Sequence, residues 1–161
     1  IESALHGHGP ASRWAAQASP GEAVTIGGPR GSMIIPTDHA WHLLAGDASA
    51  LPAVLRRLDE LPAGVQAHVL LQVDDAVDER ALASAAQLRV TWVRTATQWL
   101  QALRSMGWPA GEGFAWLAAE ARVVAQAREI VVGLHGHPRE ALRAAAYWKQ
   151  GASAFHERLD D

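Results

Sequence analysis

From Trp41 onward, apolar runs of strand length alternate with segments of helical period, and nothing else in the chain constrains its fold as tightly. The strand-length runs cover residues 41–45, 67–73, 88–94, 114–118 and, less regularly, 142–148. Most are near-continuous apolar stretches rather than strict alternations, the pattern of strands covered on both faces. Between them, helical spacing is carried by Leu51, Val54, Leu55, Leu58 and Leu61, weakly by residues 82–86, then by Trp99, Leu100 and Leu103, and finally by Val123, Val124, Ala127 and Ile130. Such alternation predicts βαβ units: an α/β fold with a parallel sheet and helices on both sides. The charged residues Arg56, Arg57, Asp59, Glu60, Arg122, Arg128 and Glu129 read as solvated helix surface.

Ahead of this pattern, residues 6–32 are crowded with glycine, proline and serine, and only residues 23–26 read as a strand. The chain has 161 residues, of which 49% are apolar, enough for one good core or for one domain with a fragment of another. Its start at Ile1 rather than Met leads us to expect further sequence upstream. There is no apolar run of the ~20 residues a membrane span needs and no signal-peptide pattern, so a cytoplasmic setting is the default expectation. Fourteen basic against seventeen acidic residues, a net charge of −3, lack the basic excess of a nucleic-acid binder. With no cysteine, disulfides, thiolate metal sites and thiol catalysis are excluded.

The turn after the first strand, "AGDASALP", is the most informative local feature. In open parallel sheets ligands bind beyond the carboxyl ends of the strands, where the next helix offers unpaired N–H groups and its positive dipole end. Gly46 occupies that place, and without a Cβ it lets a phosphate or nicotinamide approach the backbone. Asp47 or Ser49 can cap the helix, and Pro52 suits its first turn. An ordinary strand-to-helix turn accounts for the same residues. Neither GxGxxG nor GxxxxGK[ST] occurs.

The segments "HGPASRWAAQASPGEAVTIGGPRGS" and "WHLLAGDASALPAVLRRLDELPAG", with the closing "AYWKQG", resemble the siderophore-interacting proteins, flavin-dependent ferric-siderophore reductases related to the ferredoxin reductase superfamily. The combination GPAS-x-W, GPRG, AGD-x-[ST]-ALP and YW-[KR]-x-G runs in the family's order over nearly the whole chain. The resemblance implies a barrel that holds FAD, followed by an α/β domain that takes NADPH or NADH, whose electrons pass through the flavin to Fe(III) in a ferric siderophore. It divides the chain into residues 1–38, the end of the FAD-binding barrel with its phosphate-turn helix, and residues 39–161, the NAD(P)H-binding domain.

On that pattern Gly9, Pro10, Ala11, Ser12 and Trp14 resemble the FAD-pyrophosphate turn, and Gly46, Asp47, Ala48, Ser49 and Ala50 the nicotinamide-nucleotide turn. Ala48 stands where the family often has an acidic residue. The family's Arg-x-Tyr-[Ser/Thr] flavin motif is missing, so FAD is expected to bind this chain weakly or not at all. Two functions are therefore expected to be open to it: an NAD(P)H-dependent ferric-siderophore reductase acting through FAD, and a truncated, non-catalytic nucleotide- or siderophore-binding module. The exposed apolar surface left by a missing barrel would favour a homodimer.

Arg94 ends a strand where a guanidinium could pair with an adenosine 2′-phosphate, or simply sit at the surface. Glu120 stands either near the nicotinamide, as the resemblance implies, or at a helix start complementing the dipole. Tyr147 and Trp148 could stack on a ring and Lys149 attract an anionic ferric siderophore; a core tryptophan beside a surface lysine is the alternative. The pairs His6/His8 and His135/His137, with His39 and His42, match no mononuclear metal spacing, so no metal is expected and the paired histidines read as tolerated in glycine-rich loops. The seven tryptophans, Trp14, Trp41, Trp92, Trp99, Trp108, Trp116 and Trp148, read as mainly core.

Overall fold

A computed structural model describes residues 10–27, 34–152 and 157–158. A short helix α1 (Pro10–Gln17) comes first. The sheet follows as β1 (Trp41–Gly46), β2 (Gln66–Gln72), β3 (Gln87–Val93), β4 (Gly113–Glu120), β5 (Leu142–Trp148) and the two-residue β6 (Glu157–Arg158). Helices α2 (Leu51–Glu60), α3 (Ala96–Ser105) and α4 (Ala121–Glu129) intervene, and α4 runs on into a π turn over Ile130–Leu134. The strand order is β3-β2-β1-β4-β5-β6, parallel from β3 through β5, with β6 antiparallel at the edge. This is the α/β fold expected from the alternation.

Both faces of the sheet are covered. On one, Trp41, Leu43 and Ala45 of β1 and Ala115, Leu117 and Ala119 of β4 meet Trp99, Leu100 and Leu103 of α3 and Val124 and Ala127 of α4. On the other, Leu44 and the β2 residues Ala67, Val69 and Leu71 meet Leu51, Val54 and Leu58 of α2. The two-residue side-chain period of β1 splits it between the clusters, which explains why its sequence is apolar without alternation. Trp41 lies flat over the start of β4, where a Cβ on Gly113 would fall inside the indole ring.

Several local expectations fail. Residues 23–26 join no strand: Val24 and Ile26 are exposed, and no neighbouring backbone is there to pair with them among the described residues. Residues 82–86 form no helix; five residues of weak period cannot offset nucleation, and Ser84 instead ties the segment to α2 by donating its hydroxyl to Leu58 O at 2.6 Å. Arg57 is not solvated: it is 8% exposed and its guanidinium donates to Ile35 O at 3.0 Å and Pro36 O at 2.7 Å, fastening the segment ahead of β1 onto α2. Of the tryptophans, only Trp41 and Trp99 are buried; Trp92, Trp108, Trp116 and Trp148 are half-buried and Trp14 is exposed. His135 and His137 are packed rather than merely tolerated. His135 stacks on Trp108 with ring centroids 4.3 Å apart, while His137 is buried against Trp41 and Trp108.

His42, on the α2 side of β1, is fully buried with neither ring nitrogen hydrogen-bonded. Burial, then the nearby Arg57 and His39 charges, lower its pKa from 6.5 to about 4. Above pH 6.5 the ring is neutral in folded and unfolded chains alike. As pH falls towards 4 the unfolded chain takes up a proton that the fold refuses, so stability drains away, by about 3 kcal/mol at full effect. Comparing urea unfolding of the wild type and His42→Leu from pH 7 to 4 should show the variant losing less stability over that window; parallel losses would contradict this.

Candidate functional site

The strand order reverses direction beside β1. The chain lays β2 and then β3 on one side of it and returns to place β4 on the other, the switch point at which open sheets of this kind form a ligand crevice beyond the carboxyl ends of the strands. Gly46 and Asp47 close β1, and Glu120 closes β4, so the structure brings these three together at the crevice.

Asp47 organises it. The residue is 9% exposed and takes the extended backbone of a cap for the single 3₁₀ turn Ala48–Ala50, which leads into α2 with Pro52 in its first turn. One carboxylate oxygen accepts from the Ser49 N–H at 2.9 Å and from the Ser49 hydroxyl. The other accepts from the Glu120 N–H at 3.1 Å and the Trp148 indole N–H at 2.8 Å. The four donors come from the turn itself, from β4 and from β5, so this one carboxylate ties three strand ends together. Of the two capping candidates, Asp47 therefore performs the task and Ser49 donates to it.

Glu120 caps α4, its Oε2 accepting from the N–H groups of Arg122 at 2.7 Å and Val123 at 3.3 Å. Its Oε1 accepts from Gln150 N–H at 3.2 Å, which holds the segment after β5 against the same corner. The helix-start role is thus the one the geometry displays. A register shift between Ala119 and Glu120 turns the end of β4 and aligns Glu120 with Trp148.

Gly46 behaves differently from expectation. A Cβ there would overlap the Ala118 carbonyl oxygen and the methyl of Ala50, both atoms of the protein itself. The glycine makes room for β4 and the 3₁₀ turn rather than for a ligand. Ala48 is half-buried and Ala50 fully buried beneath the turn.

The remaining candidates spread along the same edge of the sheet. Arg94 follows β3, its Nη2 ion-paired with Glu79 and its Nη1 buried without a hydrogen-bond partner. Tyr147 is exposed and meets Trp116 edge-on with centroids 6.0 Å apart, and Lys149 follows Trp148 on an exposed stretch. Trp116 and Gln150 were not singled out from sequence: a half-buried strand tryptophan and a backbone donor carry no local signature. Of the first group, Gly9 lies outside the described residues. Pro10, Ala11 and Trp14 of α1 are exposed and Ser12 is buried. Among the described residues, no group of three or more histidine, aspartate or glutamate side chains could hold a metal ion, and no helix is long and apolar enough to cross a membrane.

Comparison with known proteins gives this geometry a context. A family model described as siderophore-interacting protein matches residues 39–151, and one described as siderophore-interacting FAD-binding domain matches residues 1–33. The chain is 36% identical over 152 residues to the NADPH-dependent ferric-chelate reductase of Escherichia coli K12, covering 92% of this chain and 59% of that protein. It is 31% identical over 169 aligned positions to the ferric vibriobactin reductase ViuB of Vibrio cholerae, covering 98% and 62%. Among solved structures, a siderophore utilization protein from T. fusca superposes with a TM-score of 0.83 at 31% identity, over 94% of this chain and 60% of that one. The siderophore-interacting protein SipS from Aeromonas hydrophila gives 0.79 at 28% identity, over 92% and 60%. The chain thus spans 59–62% of the length of these relatives.

Proposed function

The chain belongs to the siderophore-interacting protein family, and on that premise we propose that it supplies the nicotinamide-nucleotide-binding part of an NAD(P)H-dependent ferric-siderophore reductase. In the complete enzyme electrons pass through FAD to Fe(III), and Fe(II), which such chelators hold more weakly, is released for iron acquisition. The observation that carries this reading is the reversal of strand order beside β1, with Asp47 and Glu120 hydrogen-bonded at the strand ends there. Residues 39–161 form the nucleotide domain and residues 1–38 the end of the flavin domain.

The described residues do not by themselves enclose a flavin. A small-molecule site buries most of its ligand, whereas in residues 10–27 Ser12 is the single buried residue. No electron-transfer step is therefore assigned to this chain. Its own residues hold the nucleotide: the 46–50 turn places the backbone, Asp47 and Glu120 brace it from beneath, and Arg94, paired with Glu79, sets a partly exposed guanidinium at the same edge of the sheet. Tyr147 and Lys149 flank the corner as the ring platform and the charge that attract an anionic ferric siderophore.

The complete protein should be yellow as purified, and NADPH should bleach its visible absorbance under anaerobic conditions. A colourless protein indifferent to added FAD would sink the reductase reading. A second reading, for this chain taken by itself, is a non-catalytic nucleotide- or siderophore-binding module without stable FAD. Calorimetric titration of this chain with NADPH, NADH and FAD in turn checks it: a nicotinamide nucleotide binds and FAD does not, whereas heat from none of the three would empty its nucleotide version.

A further inference from the structure

The ion pair beyond β3 joins the β2–β3 connection, which holds Glu79, to Arg94 in the turn from β3 to α3. Glu79 follows the 3₁₀ turn Ala76–Asp78, which is capped by Asp75, and its own N–H donates to Ala76 O at 3.1 Å. Arg94 is fixed from the other side, its backbone N–H donating to Gln98 Oε1 at 2.9 Å while Thr95 caps α3. Both side chains of the pair are 35% exposed, so the site is open to solvent without being fully solvated. Because the sheet is parallel, the pair shares an edge with Gly46, Asp47 and Glu120, two strands over from β1, roughly 10 Å at ordinary strand spacing. A dinucleotide lying along that edge with its nicotinamide at the β1/β4 crevice would bring its adenosine ribose here.

At this place the two side chains favour different ligands. A guanidinium matches a 2′-phosphate through its planar fork, and the Arg94 side chain is 35% exposed at this edge. A carboxylate accepts from a ribose 2′-hydroxyl and repels a 2′-phosphate. Since Glu79 already holds Nη2, a phosphate arriving at Arg94 must sit against the carboxylate or displace it.

We propose that Glu79 is a specificity-determining residue: by holding the Arg94 guanidinium it discriminates against 2′-phosphorylated adenine nucleotides, so the choice between NADPH and NADH is set by the pair rather than by Arg94 alone. This rests on the nucleotide reading given above. The test is calorimetric titration of the 161-residue chain and its variants with two probes, adenosine 2′,5′-bisphosphate and AMP. Glu79→Gln should tighten the bisphosphate about tenfold, the scale of one removed charge at a partly screened contact, and leave AMP unchanged or weaker. Glu79→Ala should act in the same direction and serves if the glutamine variant folds poorly. Arg94→Gln should weaken the bisphosphate about tenfold and spare AMP. If Arg94→Gln acts selectively but neither Glu79 variant does, the proposal is overturned and the nucleotide reading stands. If neither probe binds the wild type, or Arg94→Gln affects both probes equally, nucleotide binding at this edge fails and the proposal falls with it.

Discussion

Gly46→Ala is expected to cost on the order of 3 kcal/mol or more and to lower the melting temperature by roughly 10 °C, because the methyl has no room that side-chain motion could supply. It would meet the Ala118 carbonyl oxygen, a backbone atom that also accepts the Asp47 N–H at 3.2 Å, and the methyl of the fully buried Ala50. Relief would mean parting β1 from β4, which are paired along all six residues of β1. Gly107→Ala is the control, since a Cβ there meets nothing within 4 Å, and its effect should stay within about 0.5 kcal/mol. Differential scanning calorimetry of both variants decides the matter. Wild-type stability in Gly46→Ala would return the glycine to its first interpretation, a gap kept for a ligand.

Removing the Asp47 carboxylate is the second large change. Asp47→Ala strands the Glu120 N–H and the Trp148 indole N–H, and it frees the turn that Ser49 closes, for a loss of about 2–4 kcal/mol. Asp47→Asn keeps one acceptor oxygen and should fall between. The specific signature is coupling to Trp148. In a double-mutant cycle with Trp148→Phe, which deletes the donor and keeps an aromatic ring, the two changes should be non-additive by about 1 kcal/mol. Additive losses in urea unfolding would mean that the bond to Trp148 contributes nothing. Through this brace the nucleotide corner should suffer as well, so Asp47→Ala is expected to weaken NADPH binding although its carboxylate faces the protein's own donors.

The strands were legible in advance because each depends on local pattern. Residues 41–45, 67–73, 88–94, 114–118 and 142–148 all lie on observed strands to within a residue or two, and α2, α3 and α4 carry the apolar spacing that identified them. Residues 23–26 show the limit: an apolar run is only strand-capable, and pairing needs a neighbour that no local pattern names. Arg57 shows another. Its place on α2 was readable, but its burial depends on residues 35 and 36 coming back across the helix, which helical period does not encode.

The motif AGDAS locates a strand-to-helix corner with a capping carboxylate, and its residues alone determine that much, because an Asp followed two positions later by a backbone N–H is a short-range geometry. What Asp47 does beyond the cap was decided in three dimensions. Its partners Glu120 and Trp148 lie 73 and 101 residues away, and they reach one carboxylate only because the sheet sets β4 beside β1 and β5 beside β4. The β1–β4 adjacency converts Gly46 from a presumed ligand gap into a packing contact, and at the other edge of the sheet the chain around β3 carries Glu79 to Arg94. Chain-local periodicity and caps therefore specified the elements and the family pattern. The side chains that meet at the corner were settled by strand order, since non-local contacts are a property of how elements pair and not of any segment read alone.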